Sequence, residues 1–200
     1  MSARMVLLMS SSQDRGGTAP TPALAAGELA AVPIGDERLQ QLYAYWRNRA
    51  AGRPLPARGD LDPIDIPLLL PYVMLVDVLP SGRYRYRLIG TENHREHGVN
   101  ATGRHLDEVL PGPEYCAHVI ALYDECVRAR RPLYSECLFL SPDRQGPERH
   151  TKVLFLPLSD DGESVNIVLV GQVFFYIDAA VRERHFIDTR AYKEIAHALL

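Results

Sequence analysis

Tyr72-Val-Met-Leu-Val-Asp-Val-Leu79 runs through Pro80-Ser-Gly82 into Arg83-Tyr-Arg-Tyr-Arg-Leu-Ile89 and Gly90-Thr91. Leu75–Leu79 and Arg83–Ile89 are rich in β-branched and aromatic residues, and the Pro-Ser-Gly between them suits a tight turn, so the span reads as an antiparallel hairpin. In its second strand Arg83, Arg85 and Arg87 alternate with Tyr84, Tyr86 and Leu88. Successive strand side chains point to opposite faces, which predicts a cationic outer face and an aromatic inner one carrying all three apolar residues.

Working outward toward the N-terminus, Asp60-Leu-Asp-Pro-Ile-Asp-Ile-Pro-Leu-Leu-Leu-Pro71 mixes acidic residues and prolines with aliphatics. Asp62 before Pro63 is an N-cap followed by a residue tolerated in a first turn, so short helical turns should feed the hairpin, with Leu68–Leu70 beneath the sheet. Further back, Leu39, Leu42, Tyr43 and Trp46 fall on one helical face. Asp36 can cap this helix and Gly52-Arg53-Pro54 stop it, giving an amphipathic helix over 36–52 that either docks on the core or forms a dimer interface. Residues 1–35 are mostly Ser, Gly, Thr, Pro and Ala, the composition of a flexible N-terminal arm.

Toward the C-terminus, Thr91–Gly98 reads as a short helix, followed by turns at Asn100–Gly103 and Leu106–Leu110 that together make a flap. A longer helix over 114–130 carries Tyr115, Val119, Leu122 and Cys126 on one stripe, with His118 and Tyr123 beside it. Leu133–Leu140, Arg149–Leu158 and Ser164–Tyr176 are three β-rich runs separated by turn-forming segments. In 181–200, Phe186, Ile187, Tyr192, Ile195, Ala196 and Leu199 are compatible with a C-terminal helical extension after residue 178. The expected class is α+β: five antiparallel strands in one sheet with the helices on one face, plus N-terminal and C-terminal helices.

Composition narrows the functional classes. A net charge of -3 and a pI near 6.2 provide no clustered cationic surface, which argues against nucleic acid as a partner. Cys116, Cys126 and Cys137 contain no Cys-x-x-Cys pair, consistent with reduced, inert thiols in a cytoplasmic protein. No apolar run approaches the roughly twenty residues needed to cross a bilayer, and Val6–Met9 with its neighbour Met5 is shorter than a secretory signal core, so no membrane is expected as partner. The nucleophile-elbow, zincin, phosphate-loop and dinucleotide-glycine motifs are all missing.

The order of elements, together with Tyr43-x-x-Trp46, Arg58-x-x-Leu61-Asp62-Pro63, Leu70-Pro71, Tyr86-Arg87-Leu88-Ile89-Gly90-Thr91, Thr102-Gly103 and Leu156-Pro157-Leu158, resembles the PAS superfamily, and within it the short stand-alone bacterial PAS proteins. The resemblance spans residues 36–178 and implies a five-stranded sheet crossed by the long helix, with a sensing or protein–protein signalling role and no catalysis of its own. It carries over Arg87, Gly90, Thr91, Thr102 and Gly103 as residues that shape the hairpin exit and the flap. Some PAS proteins hold haem through a His on the corresponding helix, which makes His118 the one haem candidate. A flavin photosensor needs a reactive Cys on the flap, and residues 91–103 contain none.

Alternation and helical spacing nominate Tyr84, Tyr86, Leu88, Tyr115, His118 and Leu122 as the lining of a pocket for an unknown small, partly apolar ligand. His94 and His97 could share one helical face for a metal, but no third ligand follows, so no metal is assigned. Asp160-Asp161 precedes Gly162 and reads as a turn. A small cone-shaped α+β enzyme, with His118 or Asp107 as a buried acid or base, is the alternative from another class, and a ligand-free scaffold is the third. A signalling protein partner, or a homodimer through helix 36–52 or the outer sheet face, would receive the signal.

Overall fold

In a computed structural model, which describes residues 34–98, 100–139, 149–176 and 192–200, β1 (Val73–Val78) and β2 (Tyr84–Ile89) pair antiparallel around Pro80-Ser-Gly82. Gly82 has a φ of 78° and its N–H donates to the Leu79 carbonyl at 2.9 Å, a conformation that a side chain would oppose. The pairing is not regular. Leu75 faces Leu88 while Val76 faces Tyr86, so Arg87 is an extra residue and the strand bulges there. The bulge reverses the alternation: Tyr84 and Tyr86 are buried on one face, whereas Leu88 turns to the other and is 44% exposed. Arg85 and Arg87 both reach the buried Asp77 carboxylate, at 2.9 and 2.5 Å.

The sheet continues through β3 (Leu133–Phe139), β4 (Arg149–Leu158), β5 (Ile167–Tyr176) and β6 (Tyr192–Leu199), in the spatial order β2-β1-β5-β4-β3-β6 with every neighbour antiparallel. Five of the six strands are those expected. The sixth corrects the helical reading of the C-terminus: Tyr192–Leu199 is a strand, while Phe186 and Ile187 lie outside the described residues. The spacing of Tyr192, Ile195, Ala196 and Leu199 suits a helix locally, but the outer edge of β3 offers a row of unpaired backbone donors and acceptors. Pairing with that edge, with a bulge between Glu136 and Cys137, overrides the local preference.

The helices that follow the hairpin share one face, as expected, and the N-terminal helix covers the other. On the outer face, α1 (Glu37–Ala50) crosses β4 and β5, capped by Asp36, whose Oδ1 accepts from the Arg38 and Leu39 amides. Leu39, Leu42 and Trp46 are buried, and the indole Nε1 of Trp46 donates to the Pro157 carbonyl at 2.9 Å. Gly171 of β5 makes this approach possible, because a Cβ there would stand 2.6 Å from Leu42 and 2.8 Å from Leu39. Three 3-10 turns, at Arg58–Asp60, Pro63–Asp65 and Leu70–Tyr72, follow. Leu69 is buried, but Leu68 is 85% exposed, which corrects its expected place under the sheet. The residue before it is Pro67, and the turn at 67–69 directs only one of the two leucines inward.

On the inner face, α2 (Thr91–His97), α3 (Leu106–Val109) and α4 (Pro113–Ala129) follow the hairpin. Gly90 forms the hinge into α2. Its ordinary φ of −64° needs no glycine, but a Cβ would come within 2.4 Å of the Leu70 and Pro71 carbonyl oxygens. Gly103, with a φ of 83°, sends its N–H to the Tyr86 carbonyl at 2.7 Å, and the Tyr86 N–H donates to the Arg104 carbonyl at 3.0 Å, so the flap is stitched to β2. Thr102 belongs to the same turn through its amide, which donates to Asn100 Oδ1 at 3.1 Å. Among the described residues no helix is long and apolar enough to cross a membrane.

Candidate functional site

Helix α4 starts at Pro113, where the missing N–H costs nothing, and ends with Arg130 in the left-handed region. Its inner stripe of Tyr115, Val119, Leu122 and Tyr123 faces the side chains that β1–β5 present on alternate positions: Met74, Tyr86, Ser135, Cys137, Thr151, Val153, Phe155, Val170 and Gln172. The two surfaces do not close completely. A cavity of about 40 Å³ remains between them, room for a few waters at most. A second chamber of about 160 Å³ lies beside it under the flap, lined by Glu96, Val109, Pro111, Tyr115, Arg149, Thr151, Gln172 and Phe174. Tyr115, Thr151 and Gln172 border both chambers.

The outer chamber contains an internal ion pair. Arg149 Nε lies 3.1 Å from Glu96 Oε2, and Arg149 Nη1 donates to the Glu96 carbonyl at 3.0 Å. Tyr176 adds a bond from its hydroxyl to Glu96 Oε1 at 3.3 Å. The Glu96 side chain is only 6% exposed, so its charge is held by these partners in place of water.

His118 lines the inner cavity with its ring stacked on Tyr192 of β6, 4.6 Å between centroids, and its Nδ1 3.7 Å from Glu194. Its Nε2 is buried without a partner. Burial pushes the imidazole below its ordinary pKa, an effect that Glu194 opposes and His197 reinforces, so the ring is held neutral. Thus β6, absent from the sequence reading, supplies the aromatic wall beside this histidine.

Four of the six nominated residues, Tyr86, Tyr115, His118 and Leu122, meet around the inner cavity. Tyr84 does not border it: the ring packs on Tyr123 at 4.9 Å and its hydroxyl donates to Asp124 at 2.6 Å. Leu88 is on the opposite face, in an apolar groove with Leu61, Ile66, Leu70, Leu75 and Leu169, because of the bulge at Arg87. Thr91 is exposed at the first turn of α2.

Asp107, the second acid/base candidate, is exposed and bonded to Arg83 at 2.8 and 2.9 Å, which holds its carboxyl below the usual range. It has no access to the cavity lining. Asp161 is a turn residue whose Oδ1 accepts from Glu163 N–H, Ser164 N–H and the Ser159 hydroxyl. His94 is exposed, the side chain of His97 lies outside the described residues, and among the described residues no cluster of three or more His, Cys, Asp or Glu could hold a metal. Cys126 and Cys137 are buried, with the Cys126 thiol pushed up to about 12 by burial, whereas Cys116 is only half-buried.

Haem does not fit around His118, because a space of about 40 Å³ cannot take a macrocycle.

The sequence reading missed Ser135, Thr151, Gln172, Glu96 and Arg149. For one of them a signal existed: Gln172 is the lone polar residue in Ile167-Val-Leu-Val-Gly-Gln-Val173, a run otherwise fit for complete burial.

A PAS domain family profile matches residues 35–172. The chain belongs to the PAS domain family. Its sheet order, with the hairpin at one side and a long helix across the inner face, is that of this α+β class, extended at the β3 edge by β6. PAS domains suggest a sensory or signalling role and are in general non-catalytic. No curated protein matches the chain.

Proposed function

We propose that this PAS protein is a non-catalytic sensory or adaptor module of bacterial, cytoplasmic signalling, which takes a small, partly apolar ligand into the cleft between the sheet and α4. The observation that supports the reading is the incompletely filled inner face, where apolar walls surround the buried, unpaired Nε2 of His118 and the side chain of Gln172, which makes no hydrogen bond among the described residues. Tyr86, Tyr115, His118 and Leu122 would contact the ligand directly, and α4 and the flap would transmit its presence. The signal would pass to a separate protein.

Native mass spectrometry of protein freshly purified from its own host, compared with denatured protein and joined to an absorption spectrum, tests the reading. The expected result is an added mass, lost on denaturation, without a Soret band. A bare chain whose thermal transition also fails to respond to any member of a small-metabolite library would sink it.

One observation favours a second reading, recognition of a protein through the outer face. Ile64 is 83% exposed and Leu68 is 85% exposed beside the apolar groove that holds Leu88. If the protein is a ligand-free scaffold or a homodimer, this surface would be its contact. Sedimentation analysis of wild type and Leu68→Ser separates self-association from partner binding.

A further inference from the structure

Gln172 is a carboxamide placed where the protein gives it nothing to bind. It is 7% exposed, borders both chambers, and makes no side-chain hydrogen bond among the described residues. In the same transverse row of the sheet, Val153 pairs with Gln172 on one side and with Ser135 on the other. Ser135 is 1% exposed and borders the inner cavity, again with no side-chain bond among the described residues. The Gln172 amide opens on the chambers and is not among the fully enclosed unpartnered atoms, and a strand that is otherwise Ile, Val and Leu could carry an apolar residue at this position. Such a group marks a position where something other than the protein completes the hydrogen bonds.

The charge of that missing partner can be read from the walls. Glu96 and Arg149 are the ionic side chains lining the outer chamber, and they neutralise each other at 3.1 Å, with further bonds from Tyr176 and to the Glu96 carbonyl. Neither is free to serve as a counter-ion. His118, on the inner side, is kept uncharged by burial. A charged guest would therefore be buried without compensation, which is strongly unfavourable. Size follows from the outer chamber: about 160 Å³ is close to the ~150 Å³ of an engineered cavity that holds benzene. Val109, Pro111 and Phe174 supply the apolar part of the wall.

We infer that the cleft selects a net-neutral molecule of roughly benzene size, with an apolar body in the chamber under the flap and an amide- or alcohol-type head that both donates to and accepts from Gln172. This rests on the ligand-sensing reading above and adds the chemical class of the ligand. Thr151 offers no competing donor to the head, since its hydroxyl hydrogen is committed to the Cys137 carbonyl at 3.1 Å. Discrimination comes from Gln172, because a polar site rejects guests that leave it unpaired.

Three probes of one shape test it: benzamide, benzoate and benzene, titrated into isotopically labelled full-length protein and followed by NMR. The expected result is a saturable shift of the Gln172 side-chain amide with benzamide, at least ten-fold tighter than benzoate, and loss of that preference in the near-isosteric Gln172→Met. A Gln172→Leu variant that keeps the wild-type spectrum elsewhere provides the same comparison should Met perturb folding. Benzoate binding as tightly as benzamide would overturn the neutral-ligand inference. Benzene binding with no preference for benzamide would also overturn it while leaving the ligand-sensing cleft intact. If none of the three binds at millimolar concentration, Gln172 is satisfied by water only and the inference falls, while the ligand-sensing reading is decided separately by the retained mass and the metabolite screen.

Discussion

On the outer face of the sheet, α1 places Leu39, Leu42 and Trp46 against β4 and β5 so closely that position 171 has room only for glycine. On the inner face, α4 crosses β4 and β3 and leaves two chambers bordered by Gln172, Ser135, Thr151 and His118. The outer contact is apolar, and its one polar atom of note, the Trp46 indole nitrogen, is satisfied by Pro157. The inner contact keeps polar groups that packing alone does not require. A contact made only for stability resembles the first; the second is less completely packed and is the one the proposed ligand would use.

The strongest way to break this comparison is to truncate one leucine on each face. Leu39→Ala should cost about 3–5 kcal/mol, since its site is filled and cannot collapse, whereas Leu122→Ala, beside existing free space, should cost about 2–3 kcal/mol. Urea unfolding measures both, and equal losses would mean that the inner face is packed as fully as the outer. Gly171→Ala comes next, at about 1–3 kcal/mol from forcing Leu39 and Leu42 off their positions. Its signature would be a shift of the Trp46 fluorescence on its own, and unchanged emission would show that α1 does not depend on this close approach.

A smaller effect depends on pH. His118 has a folded-state pKa below that of the unfolded chain, near 6.5, so the unfolded state binds more protons as the solution is acidified. Its contribution is fully present above pH ~6.5 and is lost as the pH falls through the folded pKa. Glu194 and His197 of β6 and Tyr192 face the same ring. Relative to His118→Gln, wild type should lose stability between pH 7 and 5; parallel pH profiles would show that the imidazole is not held neutral. The smallest effect is expected at the outer rim, where Ile64→Ser and Leu68→Ser should change stability by no more than about 0.5 kcal/mol. A large cooperative loss there would show that the rim is already covered, for example by a second copy.

Local patterns carried the sequence reading a long way. The Asp36 cap, the helical face of Leu39, Leu42 and Trp46, the Pro80-Ser-Gly82 turn and the alternation up to Tyr86 are written in residues close together in the chain, and each was realised within a residue or two. Leu88 failed because a bulge is one extra residue with no strong local signal, yet it reverses every side chain beyond it. The C-terminal segment failed because a strand can borrow its hydrogen bonds from an edge far away in sequence, so helical spacing was outvoted by β3.

By itself, the sequence determined the α+β class, the hairpin, the two long helices and the family, because periodicity, caps and turn residues act over short distances. Only the tertiary structure decided that α1 and α4 take opposite faces, that Tyr192–Leu199 extends the sheet, and that Gln172, Thr151, Glu96 and Arg149 surround one chamber. Those residues come from α2, β4 and β5, more than 70 positions apart at the extremes, as Glu96 and Gln172 show. No local pattern can report that separation, because it is the pairing of β4 with β5 and the folding of the flap over them that bring the groups together.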